Sequence, residues 1–297
     1  MIKGAVPRER ALGYQQKARQ WLKTFGNTEL DYENPETWVA KNLPLQSSIN
    51  TFSAYAIAHE KFMWNARMEP GVTDAFTNIW GTDELLASFD SLNITFPNRK
   101  DVPRKGAWEH VDQSPLRRGM HCVQGIISLS TAGPEDGGLV VYPGSHRLVD
   151  EYFETETNPS TWTSKDLYWF DQTKLKWFTK KGVHPHKVCA EIGDLIVWDS
   201  RTIHYGCEPT EPSNTIRTII YVALSPAKLA SAETLERKAE VFCKYGGTTH
   251  WPHDNVVVRN YWAVLPDGTR DPRDRDVPLE LPEMSDKLLK LAGVEPY

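Results

Sequence analysis

Cysteine is scarce in this chain: Cys122, Cys189, Cys207 and Cys243 are far apart and form no Cys-x-x-Cys pair. That spacing argues against a disulfide framework and reads as reduced thiols in a cytoplasmic protein. Long apolar runs are also missing, and none approaches the roughly 18 residues of a membrane span. The first ten residues, Met1 to Arg10, lack the apolar core of a secretory leader. Val294-Glu-Pro-Tyr297 is not a peroxisomal address of the Ser-Lys-Leu type. A basic excess is absent as well, with 34 Lys and Arg against 39 Asp and Glu and a net charge of −5. With no basic stripe, nucleic acid is not an expected partner, and neither is a membrane.

Aromatic residues, by contrast, are plentiful: 11 Trp, 11 Tyr and 10 Phe in 297 residues that are 40% hydrophobic. They supply rigid apolar mass for one large core and a pocket for a small molecule. No internal repeat or linker interrupts the chain, which reads as one domain over 1–297 with an oligomeric state that the sequence does not set. Residues 1–86 read as mainly helical. Leu12, Ala18, Trp21, Leu22 and Phe25 share a face from Arg10 to Phe25, with Gly26-Asn27 as a stop. Asn34-Pro35 offers an N-cap and first-turn proline. A longer helix is expected from Thr51 to Arg67, and a short one from Thr82-Asp-Glu-Leu-Leu86.

Then the period changes. Ser88 to Phe96 alternates as a half-buried strand does, and further strands are expected near 121–129, 139–142, 187–191, 194–198 and 215–224. Gly137-Gly138 and Pro143-Gly144 bracket one of them. Glu191-Ile-Gly-Asp194 reads as a tight turn between antiparallel strands, with Gly193 at positive φ. Short strands with turn signals point to a sandwich or jelly roll over 87–224, with helices on one side, an α+β or mainly β fold. Residues 148–185 form an aromatic insertion with the character of a lid. The tail, 225–297, carries a helix at 232–244 and an amphipathic piece around 284–291.

The chemistry lies in Trp108-Glu-His-Val-Asp112, Trp198-Asp-Ser-Arg-Thr-Ile-His204 and Arg217. Two imidazoles and a carboxylate make a facial triad, which holds Fe(II) and leaves its opposite face open. On an extended segment His110 and Asp112 share a face. Alone, His-x-Asp more readily describes a hydrogen-bonded surface turn, and His204 also reads as a satisfied core histidine. The order and spacing raise the value of the set. Arg217 lies on a strand face with Thr215, Ile219 and Tyr221, where a guanidinium is costly unless it meets an anion. Its planar fork suits a carboxylate.

These segments, together with Trp80-Gly-Thr-Asp-Glu-Leu-Leu86 and Gly137-Gly-Leu-Val-Val-Tyr-Pro-Gly-Ser-His146, resemble the phytanoyl-CoA dioxygenase family of Fe(II)/2-oxoglutarate oxygenases. The resemblance spans about half the chain in the family's order. It implies a double-stranded β-helix core of the jelly-roll, cupin-like kind, with iron on His110, Asp112 and His204. It also implies Arg217 on the distal carboxylate of 2-oxoglutarate, and O2 as the second cosubstrate. Asp112 sets the chain apart from the halogenase branch, which has Gly or Ala there. Gln124 is a candidate for the cosubstrate or a structural amide; Trp108, Trp198 and Tyr205 are candidate pocket walls or ordinary core aromatics. His146 reads as a turn residue, and Pro185 between His184 and His186 favours a loop over a metal pair. The expected activity is oxidation of an unactivated C–H bond in a small, specialised metabolite, by hydroxylation, desaturation or ring closure. A cupin-like metalloenzyme without a 2-oxo acid, or a non-catalytic β-helix binding module, are the competing readings.

Overall fold

A computed structural model describes residues 1–26, 29–259 and 261–297. Helices α1 (Arg8–Lys23), α2 (Lys61–Arg67) and α3 (Pro70–Trp80) precede most of the strands. Strand β1 (Thr51–Phe52) lies between α1 and α2, and β2 (Leu85–Ala87), β3 (Leu92–Thr95), β4 (His110–Val111), β5 (Val123–Ser128) and β6 (Gly138–Val141) follow α3. The aromatic insertion contributes α4 (Val149–Glu156), β7 (Tyr168–Trp169) and α5 (Gln172–Lys180). Strands β8 (His186–Val188), β9 (Leu195–Asp199), β10 (His204–Cys207) and β11 (Arg217–Pro226) lead into α6 (Ala232–Cys243) and α7 (Asp286–Ala292).

The strands form two antiparallel sheets. One runs β1-β3-β11-β5-β9 with β2 also on β11; the other runs β7-β4-β10-β6-β8. Successive side chains of a strand point to opposite faces, and this period of two builds the layers. Ile220, Val222 and Leu224 of β11 and Val123 and Ile127 of β5 join the large core with Trp21 and Leu22 of α1, Met63 and Trp64 of α2, and Phe76 of α3. Their alternates, Ile219, Ile126, Ile196 and Trp198, meet Leu139 of the second sheet in an inner cluster. The helices therefore cover one face of the six-stranded sheet, while its other face looks towards the five-stranded sheet. This mixture of helices and antiparallel sheets is compatible with a cupin-like fold.

The aromatic insertion, expected to have the character of a lid, is chiefly a packed layer. Tyr152, Phe153, Phe170, Leu175 and Phe178 pack with Val111, Tyr142 and Ile203 against the five-stranded sheet. Only the stretch 163–169 reaches the central cavity.

Three local expectations are corrected. The helix over 51–67 is instead β1, a turn and the shorter α2, because Tyr55 and Ala56 adopt positive φ (61° and 55°) and break the helical path. The helix from Thr82 does not form: Thr82 Oγ1 accepts from Glu84 N, but Leu85–Ala87 pairs with β11. The 191–194 turn does not close a hairpin, since β8 belongs to one sheet and β9 to the other. Gly193 does take positive φ (92°) there, and a Cβ would lie 2.1 Å from the Val6 carbonyl oxygen, so only glycine lets the N-terminal segment lie against the turn. Helix α1 ends near its expected stop; Gly26 has φ 72°, and Asn27 lies outside the described residues.

Candidate metal centre

His110 lies on β4 and His204 opens β10, and the antiparallel register sets the two residues directly opposite each other. Asp112 follows β4 by one residue, its N–H donating to the Ser200 carbonyl. Its side chain thus stays on the face of His110, as the i, i+2 spacing requires. Nε2 of His110 is 3.5 Å from Asp112 Oδ1, and Nε2 of His204 is 3.3 Å from Asp112 Oδ2. One ligand atom from each residue lies within 4.8 Å of the others, and all three side chains are buried.

Neighbouring groups fix how each ligand presents itself. His110 Nδ1 pairs with the Trp108 carbonyl at 3.0 Å, and His204 Nδ1 with the Thr202 carbonyl at 2.8 Å. A carbonyl only accepts, so both Nδ1 atoms carry a proton, and both Nε2 atoms face the shared space. Gln124 Nε2, from β5 of the other sheet, donates to Asp112 Oδ2 at 2.8 Å. Gln124 therefore orients a candidate ligand, a role that its sequence position did not reveal. Burial lowers the His110 pKa to about 4. Burial also opposes ionisation of Asp112, but the imidazoles of His110, His250 and His204 together hold its carboxyl below the ordinary carboxylate range. Neutral imidazole and ionised carboxylate are the states that a divalent cation requires.

A cavity of about 670 Å³ opens over these residues. Arg217, the first residue of β11, reaches it from the six-stranded sheet and is only 8% exposed. Its Nη1 donates to Asn93 Oδ1 over a long 3.4 Å, and its Nε is buried without a partner. Burial lowers its pKa, partly offset by Tyr221. No carboxylate lies within 4.0 Å of it among the described residues. A buried, unneutralised guanidinium facing a cavity fits an incoming anion.

The remaining predicted residues divide. Trp108 and Trp198 line the cavity. Trp108 stacks on His110, with centroids 4.5 Å apart and planes 10° from parallel, and its Nε1 donates to Gly206 O at 2.9 Å. Tyr205 does not line it: one step along β10 from His204, its side chain falls on the opposite face and joins the aromatic layer. His146 lies outside the cavity lining, and so do the exposed His184 and His186, although the register sets His186 level with His204 two strands away, beyond Val141.

Sequence reading missed one wall altogether. His250, Trp251, Asn255 and Arg259, from the tail, line the cavity, and His250 Nε2 is buried without a partner. No periodicity marks this segment; it is held in place by distant partners. Asp166 of the insertion accepts from Ser114 N (2.8 Å), Arg117 Nε (2.9 Å) and Asn255 Nδ2 (2.7 Å), while Arg117 Nη1 reaches Asp254 at 2.6 Å. Insertion, tail and the segment after Asp112 are clasped together beside the triad.

Residues 9–210 match the family model described as phytanoyl-CoA dioxygenase (PhyH), a span that contains the triad but neither Arg217 nor the tail wall. Ava biosynthesis cluster protein O of Aspergillus versicolor is 38% identical over 258 residues, covering 85% of this chain and 82% of that protein. Among solved structures, GIG2 (GlcNAc Inducible Gene 2) of Candida albicans has a TM-score of 0.65 at 12% identity, over 99% of this chain and 73% of that one. The epimerase SnoN, solved with Fe3+, alpha ketoglutarate and nogalamycin RO, has a TM-score of 0.52 at 15% identity, over 96% and 91%. At such identities the structural likeness speaks for the fold. With a matched span covering most of its length and a relative at 38% identity, this chain belongs to the phytanoyl-CoA dioxygenase family.

Proposed function

We propose that this protein is an Fe(II)- and 2-oxoglutarate-dependent oxygenase that tailors a small, specialised metabolite in the cytoplasm, on a double-stranded β-helix core. The observation that carries the reading is the convergence of His110, Asp112 and His204 beneath one cavity that also contains the unneutralised Arg217. The relative from a biosynthesis cluster and the SnoN structure with its iron and 2-oxo acid support the same assignment.

Bound iron, with 2-oxoglutarate and O2, supplies oxidation of an unactivated C–H bond coupled to decarboxylation of the 2-oxo acid. The chain's part is binding and orientation. His110, Asp112 and His204 would hold the metal and leave room for small molecules beside it. Arg217 would hold the far carboxylate of the 2-oxo acid through its fork, its Nη1 already resting 3.4 Å from Asn93 Oδ1. Gln124 keeps Asp112 from rotating away. Trp108, Trp198 and the tail wall exclude water and place the substrate carbon near the metal. Hydroxylation, desaturation and ring closure all begin with that placement, and substrate geometry selects among them.

The direct test is turnover of the cosubstrate. Purified protein supplied with Fe(II), ascorbate, O2 and 2-oxoglutarate is expected to form succinate, and His204→Ala to form none. Equal succinate from both proteins would remove the triad from the reaction.

A further inference from the structure

A second cavity of about 540 Å³ adjoins the metal chamber, and the two share Ser48, Asn50, Lys105 and Glu208 as lining. The walls of this outer lobe include Leu43, Leu45, Phe96, Val102 and Leu265. Leu45 and Val102 are 38% and 42% exposed, and both stand at this one concavity. Single exposed apolar side chains carry no message, but a concave surface walled by several is a place that apolar matter covers.

Three cations beside the lobe are already engaged. Arg99 pairs with Asp101, Arg273 with Asp271, and Arg104 with Asn98 Oδ1 and the Pro209 carbonyl. The waist between the lobes differs. Lys105 sits 4.1 Å above the Trp108 ring, and Glu208 is half-buried; neither makes a hydrogen bond or ion pair among the described residues. Lys105 and Glu208, opposite charges that feel each other without closing a hydrogen bond, thus stand where the outer lobe meets the wall carrying the ring that stacks on His110.

We propose that the outer lobe is a subsite for the apolar body of an elongated ligand. An amide-like group of that ligand, both donor and acceptor, sits between Lys105 and Glu208, and its far end enters the metal chamber. This deepens the oxygenase reading and rests on it for the reacting end: the substrate is an extended, largely apolar molecule with one polar group along its length. The lobe itself is independent of the metal.

A neutral dansyl amide is the probe, having a fused-ring body and a sulfonamide that donates and accepts. Titrated into the full chain, it is expected to saturate at one site and to be insensitive to 2-oxoglutarate. The rim pair Leu45→Arg/Val102→Arg and, separately, the waist pair Lys105→Met/Glu208→Leu are expected to weaken it roughly ten-fold or more. Parental melting temperatures verify that each variant folds. Co(II) loaded on the triad, a short-range quencher, is expected to dim the bound dye. Dye binding that survives the rim pair, or is displaced by 2-oxoglutarate, would overturn the subsite, as would undimmed emission with Co(II) bound. Dye binding lost in the rim pair, with no Co(II) uptake by the parent, would uphold the lobe and overturn the metal reading instead.

Discussion

Arg217→Met separates a functional guanidinium from a structural one. In the ligand-free protein Arg217 is buried, with one long hydrogen bond to Asn93, a contact with Tyr221 and an orphaned Nε. Replacing such a buried charge with an apolar side chain of similar length is often neutral or stabilising by about 1–4 kcal/mol. The lost contact with Tyr221 offsets about 1 kcal/mol of that. The ligand-free variant is therefore expected to melt at the parental temperature or a few degrees above it, at roughly 2–4 °C per kcal/mol. Binding of 2-oxoglutarate should move the other way. Truncating one partner of a desolvated, hydrogen-bonded charge pair costs about 2–5 kcal/mol, or roughly 30- to 4,000-fold in affinity. Arg217→Lys keeps the charge but loses the fork and should fall between the two. Calorimetric titration of 2-oxoglutarate into Mn(II)-loaded protein, beside a thermal melt without ligand, reads both quantities. A Met variant that binds 2-oxoglutarate like the parent would refute the reasoning, and so would one that unfolds well below it.

Gln124→Leu removes the donor from Asp112 Oδ2 and is expected to weaken Mn(II) binding roughly 10- to 100-fold; unchanged metal affinity with weakened 2-oxoglutarate would return Gln124 to a cosubstrate role. Asp166→Ala opens the clasp that Ser114, Arg117 and Asn255 make on it, so hydrogen–deuterium exchange should quicken in both 163–169 and 249–257, and exchange confined to one of them would mean that the segments are held separately. Lys238 is fully buried, its Nζ donating to Ala87 O at 2.8 Å, and burial lowers its pKa from 10.5 to about 7. Between those values the unfolded chain binds more protons than the folded one, so this group makes stability rise with pH across that window and is most costly below it. Lys238→Met should therefore be more stable than the parent near neutral pH, with the gap narrowing as pH approaches 10.5; urea midpoints that keep a constant gap would contradict the assignment.

The sequence carried its clearest information where one strand face is buried and the other is too. Asp194 to Trp198 and Thr215 to Leu224 read as strands from their β-branched apolar runs, and β9 and β11 fall within two residues of those bounds. The shared face of His110 and Asp112 follows from their i, i+2 spacing on an extended segment, whereas His204 was added only by the order of the segments and the family resemblance. Arg217 was visible because a charge in an apolar strand demands an explanation. The 51–67 stretch misled for a physical reason: Phe52, Tyr55, Ile57, Phe62, Met63 and Trp64 are all buried, so apolar spacing there reports burial on every side, with no helical period. The opposite lapse occurred at α3. Pro70 at its first turn and Gly81 at its end, with φ 70°, are ordinary start and stop signals that went unread. Pairings between distant strands leave no local trace, which is why the 191–194 turn looked like a hairpin. The same holds for His250 and Arg259, which reach the cavity through contacts with residues 80 or more positions away, such as Cys122 with the His250 carbonyl. Tyr205, open in the sequence between pocket wall and core aromatic, is placed in the aromatic layer by a single step of strand alternation.

Anaerobic titration of Fe(II)-loaded protein with 2-oxoglutarate, followed by visible absorption, bears most directly on whether the three side chains and Arg217 work as one assembly. A charge-transfer band that saturates at one 2-oxoglutarate per iron, vanishes in His204→Ala and needs far more ligand in Arg217→Met is the expected result. Iron held by His110, Asp112 and His204 with no such band at any 2-oxoglutarate concentration would contradict it.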